Sequence, residues 1–75
     1  MMKTIEKDLI KSLSTNIKNV PMISKELKYS QEHIRKILRM MRIRGIVKMY
    51  SKNRIINLWY LTKKGKKLLK DINFN

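Results

Sequence analysis

The spacing of the apolar residues changes character at Gly45, and that change limits the folds open to this chain more than any other feature. Upstream, apolar residues recur at intervals of three and four: Ile5, Leu9 and Leu13, widened by Ile10 and Ile17, then Ile23 and Leu27, then Ile34, Ile37, Leu38 and Met41. Each group is one buried stripe of a helix. Downstream, residues 46–50 and 55–61 are dense in β-branched and aromatic side chains, which suit a pleated surface. They predict two strands. A mainly α chain with a small β-hairpin follows, in the order helix, helix, helix, strand, strand, helix.

Local signals place the ends of these elements. The first helix is expected from about Lys3 to about Ser14. Thr15, Asn16 and Asn19 form a loop, and Pro21 fits the first position of a second helix that ends near Lys28, because the N–H that proline lacks is unpaired there anyway. Ile23 and Leu27 would face inward, and Ser24 is small enough for a close crossing. Ser30 reads as the N-cap of a third helix ending near Arg44, with Gly45 beyond it as a left-handed stop. The segment Ser51, Lys52, Asn53, Arg54 reads as the hairpin turn, with Asn53 able to take a left-handed conformation. The inward face of the second strand is ambiguous, since Ile56, Leu58 and Tyr60 are as apolar as Ile55, Trp59 and Leu61; such a two-sided strand suggests cover from a second subunit. Thr62 caps a last helix that buries Gly65, Leu68, Leu69 and Ile72, followed by a frayed tail at Asn73, Phe74 and Asn75.

Seventy-five residues give one expected domain over 1–75, and a core this small is marginal. Cysteine is absent, so no disulfide or thiolate metal site supports it. Self-association is the remaining common support. No run approaches the length of a membrane span and the N-terminus lacks a signal-peptide core, so an intracellular, nucleoid-associated protein is expected. Brevity suggests a small genome, that of a virus, a plasmid or a compact prokaryote.

Charge indicates the partner. Lysine and arginine number 19 against 5 acidic residues, a formal net charge of +14. Between His33 and Lys70 there are 13 basic residues and no Asp or Glu. Codon bias can multiply lysines but does not remove acids, so a polyanion is the expected partner. On the third helix, Glu32, Arg35, Lys36 and Arg39 project opposite the apolar stripe, with Arg42 and His33 on its flanks.

The order of elements resembles the winged helix-turn-helix superfamily, particularly transcriptional regulators of the MarR, ArsR and PadR kind. Residues 23–30 resemble the helix-turn segment, 38–47 the end of a recognition helix entering the wing, and 61–65 the exit from the wing. Lys28 stands where the family favours glycine, and the long flanking helices of full-length MarR-type regulators are missing, so no small-molecule ligand is implied. The resemblance implies sequence-specific binding of double-stranded DNA, with the third helix, about 30–44, in the major groove and the wing, about 46–61, on the flanking minor groove or phosphates. Position by position it points to Gln31, Glu32, His33, Arg35, Lys36 and Arg39 as the groove-facing set, with Lys25, Ser30 and Arg42 beside them and Lys52, Asn53 and Arg54 at the wing tip. Glu32 either accepts from cytosine N4 or serves the helix dipole.

Other chemistry has little support. His33 is the only histidine and has no second ligand or carboxylate partner, so neither a metal nor a catalytic base is expected; the protein reads as a non-enzyme without cofactor. Trp59, Tyr60 and Tyr50 form either sheet core or a base-stacking platform. An interaction module of a nucleoprotein assembly, and an RNA or single-strand binder, are the alternative functions. A homodimer is expected through Leu68, Leu69 and Ile72 of the last helix and Ile10 or Ile17 of the first, matching an inverted-repeat operator.

Overall fold

The computed structural model describes residues 2–53 and 55–74. The chain folds as α1 (Thr4–Thr15), β1 (Lys18–Asn19), α2 (Val20–Leu27), α3 (Gln31–Ile43), β2 (Val47–Lys52), β3 (Ile56–Leu61) and α4 (Lys63–Phe74). The expected order holds, with one addition. β1 pairs antiparallel with β3, Lys18 opposite Trp59 and Asn19 opposite Leu58, so the hairpin becomes a three-stranded sheet in the order β1-β3-β2. Two residues carry no periodicity, which is why the sequence gives no sign of this strand. Pairing on both sides makes β3 the central strand.

Side-chain caps explain most boundaries. Asn19 Oδ1 accepts from the Met22 N–H at 2.9 Å, so Asn19 is the cap of α2 and not plain loop. Pro21 consequently sits at the second helical position, one later than expected, where its N–H is still unneeded. Ser30 Oγ accepts from the His33 N–H at 3.2 Å and starts α3 as its sequence indicates. The far end of α3 closes on Gly45 at φ +77°, with the Ile46 N–H donating to Met41 O at 2.9 Å and the Gly45 N–H to Arg42 O at 3.0 Å. This is a Schellman stop. Lys28, where the resembled family favours glycine, takes φ +64° and donates its N–H to Ser24 O at 2.8 Å. The tight turn between α2 and α3 is therefore made without glycine, at the cost of a strained lysine.

The core lies where the helical stripes meet the sheet. Leu9, Ile10, Ile23, Ile34, Leu38 and Ile46 are fully buried, and Ile5, Leu13, Val20, Ile37, Met41, Val47, Trp59 and Leu61 join them. Shortening Leu38 to alanine would cost roughly 2–5 kcal/mol, a large share of the stability of any domain this small. The ambiguous strand is resolved: Trp59 and Leu61 point inward, while Ile56 and Tyr60 remain partly exposed. Ile17 lies beyond α1 and is 38% exposed, so it does not widen the stripe. Ile10 is completely buried in its own core, which corrects the expectation that it could meet a second copy.

α4 is fixed at its start by Thr62. Its Oγ1 accepts from the Gly65 N–H at 3.1 Å and donates to the Gly45 and Ile46 carbonyls. Gly65 is buried against that same segment, and a Cβ there would run into Ile46 O. Leu68, Leu69 and Ile72 pack partly buried against the core. α4 continues through Phe74, past the predicted end at Ile72; Asn75 lies outside the described residues.

Candidate nucleic-acid interface

α3 carries three distinct faces, as its 100° steps require. Ile34, Ile37, Leu38 and Met41 turn into the core. Opposite them, Glu32, Lys36, Arg39 and Ile43 are exposed, Ile43 at 86%. The third face looks toward the hairpin: Arg35, Arg39 and Arg42 form one wall of a groove of about 450 Å³, facing Met49, Ile55, Ile56, Asn57 and Trp59, with Asn19, Val20 and Pro21 at its end. The arginines are thus not simply projected into solvent. They share a concavity with the wing.

Arg35 is held in place, since its Nη2 donates to Gln31 Oε1 at 3.0 Å, one helical turn back. His33 stands edge-on to Tyr29, ring centroids 6.0 Å apart, on the flank away from the groove. Ser30 spends its hydroxyl on the cap. Lys25 is exposed on α2, apart from the groove lining. Lys52 ends β2, and Asn53 turns the hairpin at φ +56° as its side chain permits, with Ile55 N–H donating to Lys52 O at 3.2 Å. Arg54 lies outside the described residues. Sequence reasoning missed Asn19, Asn57, Ile55 and Ile56, which belong to the groove only because the sheet folds back to face α3 across it. Trp59 is sheet core, as one of its two readings held, and its Nε1–H is buried with no partner among the described residues.

Three of the acidic residues, Glu6, Asp8 and Glu26, are engaged by neighbouring side chains. Glu6, 8% exposed, receives Arg44 Nη1 at 2.9 Å, tying α1 to the end of α3. Asp8 accepts from the Tyr29 hydroxyl at 2.8 Å, which raises the Tyr29 pKa above its ordinary value. Glu26 pairs with the buried Lys18 at 2.7 Å; that Lys18 hydrogen bond, then one from Ser12, holds its carboxyl below the usual range. Lys18 Nζ also donates to Ser12 O at 2.8 Å and Ser12 Oγ at 3.0 Å. Glu6 and Glu26 are therefore ion-paired, Asp8 keeps its charge as a hydrogen-bond acceptor, and Glu32 is the acid on the outward face of α3. Among the described residues no three His, Cys, Asp or Glu side chains cluster to hold a metal, and no helix is long and apolar enough to cross a membrane.

No protein-family model and no curated protein matches the sequence. Solved structures do match in shape. The PadR protein of Bacillus subtilis, in complex with operator DNA, superposes with a TM-score of 0.90 at 15% identity, over 100% of this chain and 48% of that one. The adhesin competence repressor AdcR of Streptococcus pyogenes gives 0.89 at 13% identity, over 97% and 55%. ZitR of Lactococcus lactis, a zinc-responsive MarR family member, gives 0.85 at 19% identity, over 97% and 52%. The fold is a winged helix-turn-helix. Within it α2 and α3 are the helix-turn-helix pair, and the β2–β3 hairpin is the wing. The chain spans about half the length of these winged-helix regulators. One of them responds to zinc, so the expectation that no small ligand is implied gains no support from the comparison.

Proposed function

We propose that this winged-helix protein is a sequence-specific transcriptional regulator that binds double-stranded DNA, with α3 in the major groove and the wing on the adjacent minor groove or phosphates. The observation that carries this reading is the concave arginine wall of Arg35, Arg39 and Arg42 facing the wing, in a groove with no acid in its lining. A helix about 10–12 Å across with its side chains fits a groove about 12 Å wide. Arg39 belongs to both the outward face and the groove wall, so it is the residue best placed for bidentate contact with guanine O6 and N7. Gln31, Glu32, His33, Arg35 and Lys36 complete the base-facing set; Lys25, Ser30, Arg42, Lys52, Asn53 and Arg54 position the backbone. Outward on the same helix, Ile43 is available to a thymine methyl.

Two copies would read an inverted repeat with half-sites about 10 base pairs apart. Their contact is the half-exposed edge of Leu68, Leu69 and Ile72 on α4, a side chain set that one copy does not fully bury. The chemistry is binding rather than catalysis.

The test compares Arg39→Ala with Lys52→Ala on a selected site and on random duplex across a salt series, after each variant is shown to fold. Arg39→Ala should lose roughly 1–3 kcal/mol on the selected site and little on random DNA. Lys52→Ala should weaken both about equally and reduce the salt slope by roughly 0.9 per lost phosphate contact. An unchanged ratio of specific to random affinity in Arg39→Ala would show that α3 does not read bases. A complex containing one copy per selected site would refute the dimer.

A further inference from the structure

The α3 and wing surface accounts for only part of the positive charge. Its cations are Lys25, Arg35, Lys36, Arg39, Arg42, Lys52 and Arg54. Eight lysines lie elsewhere, on two helices packed against each other and at the cap of the first. α4 buries Gly65 and partly buries Leu68, Leu69 and Ile72; the opposite side carries Lys63, Lys67 and Lys70, with Lys66 beside them, all exposed. Together with Lys64 they line a shallow depression of about 550 Å³. Lys3 at the cap of α1 and Lys7 and Lys11 within it are exposed at four-residue intervals, while its two acids, Glu6 and Asp8, are engaged by Arg44 and Tyr29.

This arrangement is unfavourable for the free protein. Lysines at i, i+3 and i+4 repel along α4. Lys63, Lys64 and Lys66 also crowd the first turns, where the helix dipole is already positive, and no acid stands there to offset it. Lys64 has a use within the fold, its Nζ donating to Arg44 O at 2.8 Å at the end of α3. The two basic surfaces are separate concavities: none of the α4 lysines lines the groove of Arg35, Arg39 and Arg42, and none of those arginines lines the α4 depression.

We infer that the lysine face of α4, extended by α1, is a second phosphate-binding surface that takes a second DNA duplex, so that one protein bridges two segments of DNA. The inference rests on the duplex-binding reading of α3. A rigid, regularly spaced polyanion complements the regular ladder Lys63, Lys67, Lys70, and it needs no base contact to do so.

The test immobilises one duplex on beads and measures capture of a second, labelled duplex by the full chain. Wild type should capture it at sub-saturating protein and release it at excess, when every duplex is coated separately. The combined variant Lys63→Gln, Lys66→Gln, Lys67→Gln, Lys70→Gln, checked for its native circular dichroism, should hold a single duplex within about threefold of wild type yet lose capture by about tenfold or more. The matching Lys→Arg variant should restore capture. Full capture by the glutamine variant would overturn the inference. So would a wild type that binds the first duplex and captures no second one. Loss of binding to phosphatidylserine vesicles in the glutamine variant, without duplex capture by wild type, would assign the face to a membrane surface instead. Failure of wild type to bind even the first duplex would refute the reading of α3 as well, and so is distinguishable from failure of the bridge alone.

Discussion

Replacing Gly65 by alanine tests how closely α4 is seated on the helix-to-wing connection. The added Cβ meets the Ile46 carbonyl oxygen, and it also comes within 3.1 Å of Leu61 Cδ2 and 3.3 Å of Leu61 Cβ. The oxygen is backbone and cannot swing aside. It also accepts from the Thr62 N–H at 3.1 Å and from Thr62 Oγ1 at 3.1 Å, so moving α4 away from it weakens the cap of α4. Overpacking of this kind costs about 1–3 kcal/mol, and a weakened hydrogen bond about 1 more. Alanine recovers about 1 kcal/mol of helix propensity. The expected net loss is about 2 kcal/mol, which in a domain of this size lowers the melting temperature by roughly 10 °C. Thermal melts and urea titrations followed by far-ultraviolet circular dichroism measure both quantities, with exposed Lys66→Ala as the neighbouring control, expected within about 0.5 kcal/mol of wild type. A Gly65→Ala protein that melts at or above the wild-type temperature would show that α4 does not sit against Ile46 as described.

Lys28→Gly should raise stability by roughly 0.5–1 kcal/mol, because glycine removes the left-handed strain at φ +64° and returns part of the gain as chain entropy; urea titration checks it, and a loss would place the turn elsewhere. Arg44→Ala should cost about 1–3 kcal/mol by leaving the Glu6 carboxylate, whose side chain is 10% exposed, without its partner. Adding Glu6→Gln to that variant should recover part of the loss, and strict additivity in the cycle would deny the coupling. The Glu26 carboxyl is held below its ordinary range first by the Lys18 hydrogen bond, so the stability it contributes is present above the unfolded-state pKa and is lost as pH falls through the lower, folded-state value. Acid titration of Glu26→Gln should accordingly show a smaller loss of stability across that acidic interval than wild type, and parallel curves would contradict the assignment.

The sequence by itself determined the order of the elements and the chemical character of each face. Stripes at three- and four-residue spacing, Ser30 before α3, Gly45 after it and Thr62 before α4 are local instructions, and local physics executes them wherever the chain is placed. The absence of acids between His33 and Lys70 was equally legible. Tertiary structure decided what local patterns cannot encode. β1 exists only because Lys18 and Asn19 find the edge of β3, and a two-residue strand has no period to read. The choice of Trp59 and Leu61 over Ile56 and Tyr60 as the inward face depended on which side of the sheet α1 and α3 cover. Ile10 looked available for a second copy because a helix stripe shows its width but not how far neighbouring helices wrap around it. The pairings of Glu6 with Arg44, Asp8 with Tyr29 and Lys18 with Glu26 join residues separated by 38, 21 and 8 positions; the packing of α1 against the helix-turn-helix makes the first two, and the approach of β1 to α2 makes the third. The groove formed in the same way: the arginines come from one helix by simple periodicity, but the wall facing them belongs to a hairpin whose position relative to α3 is set by Gly45 and Ile46, through long-range contacts that no short window of sequence contains.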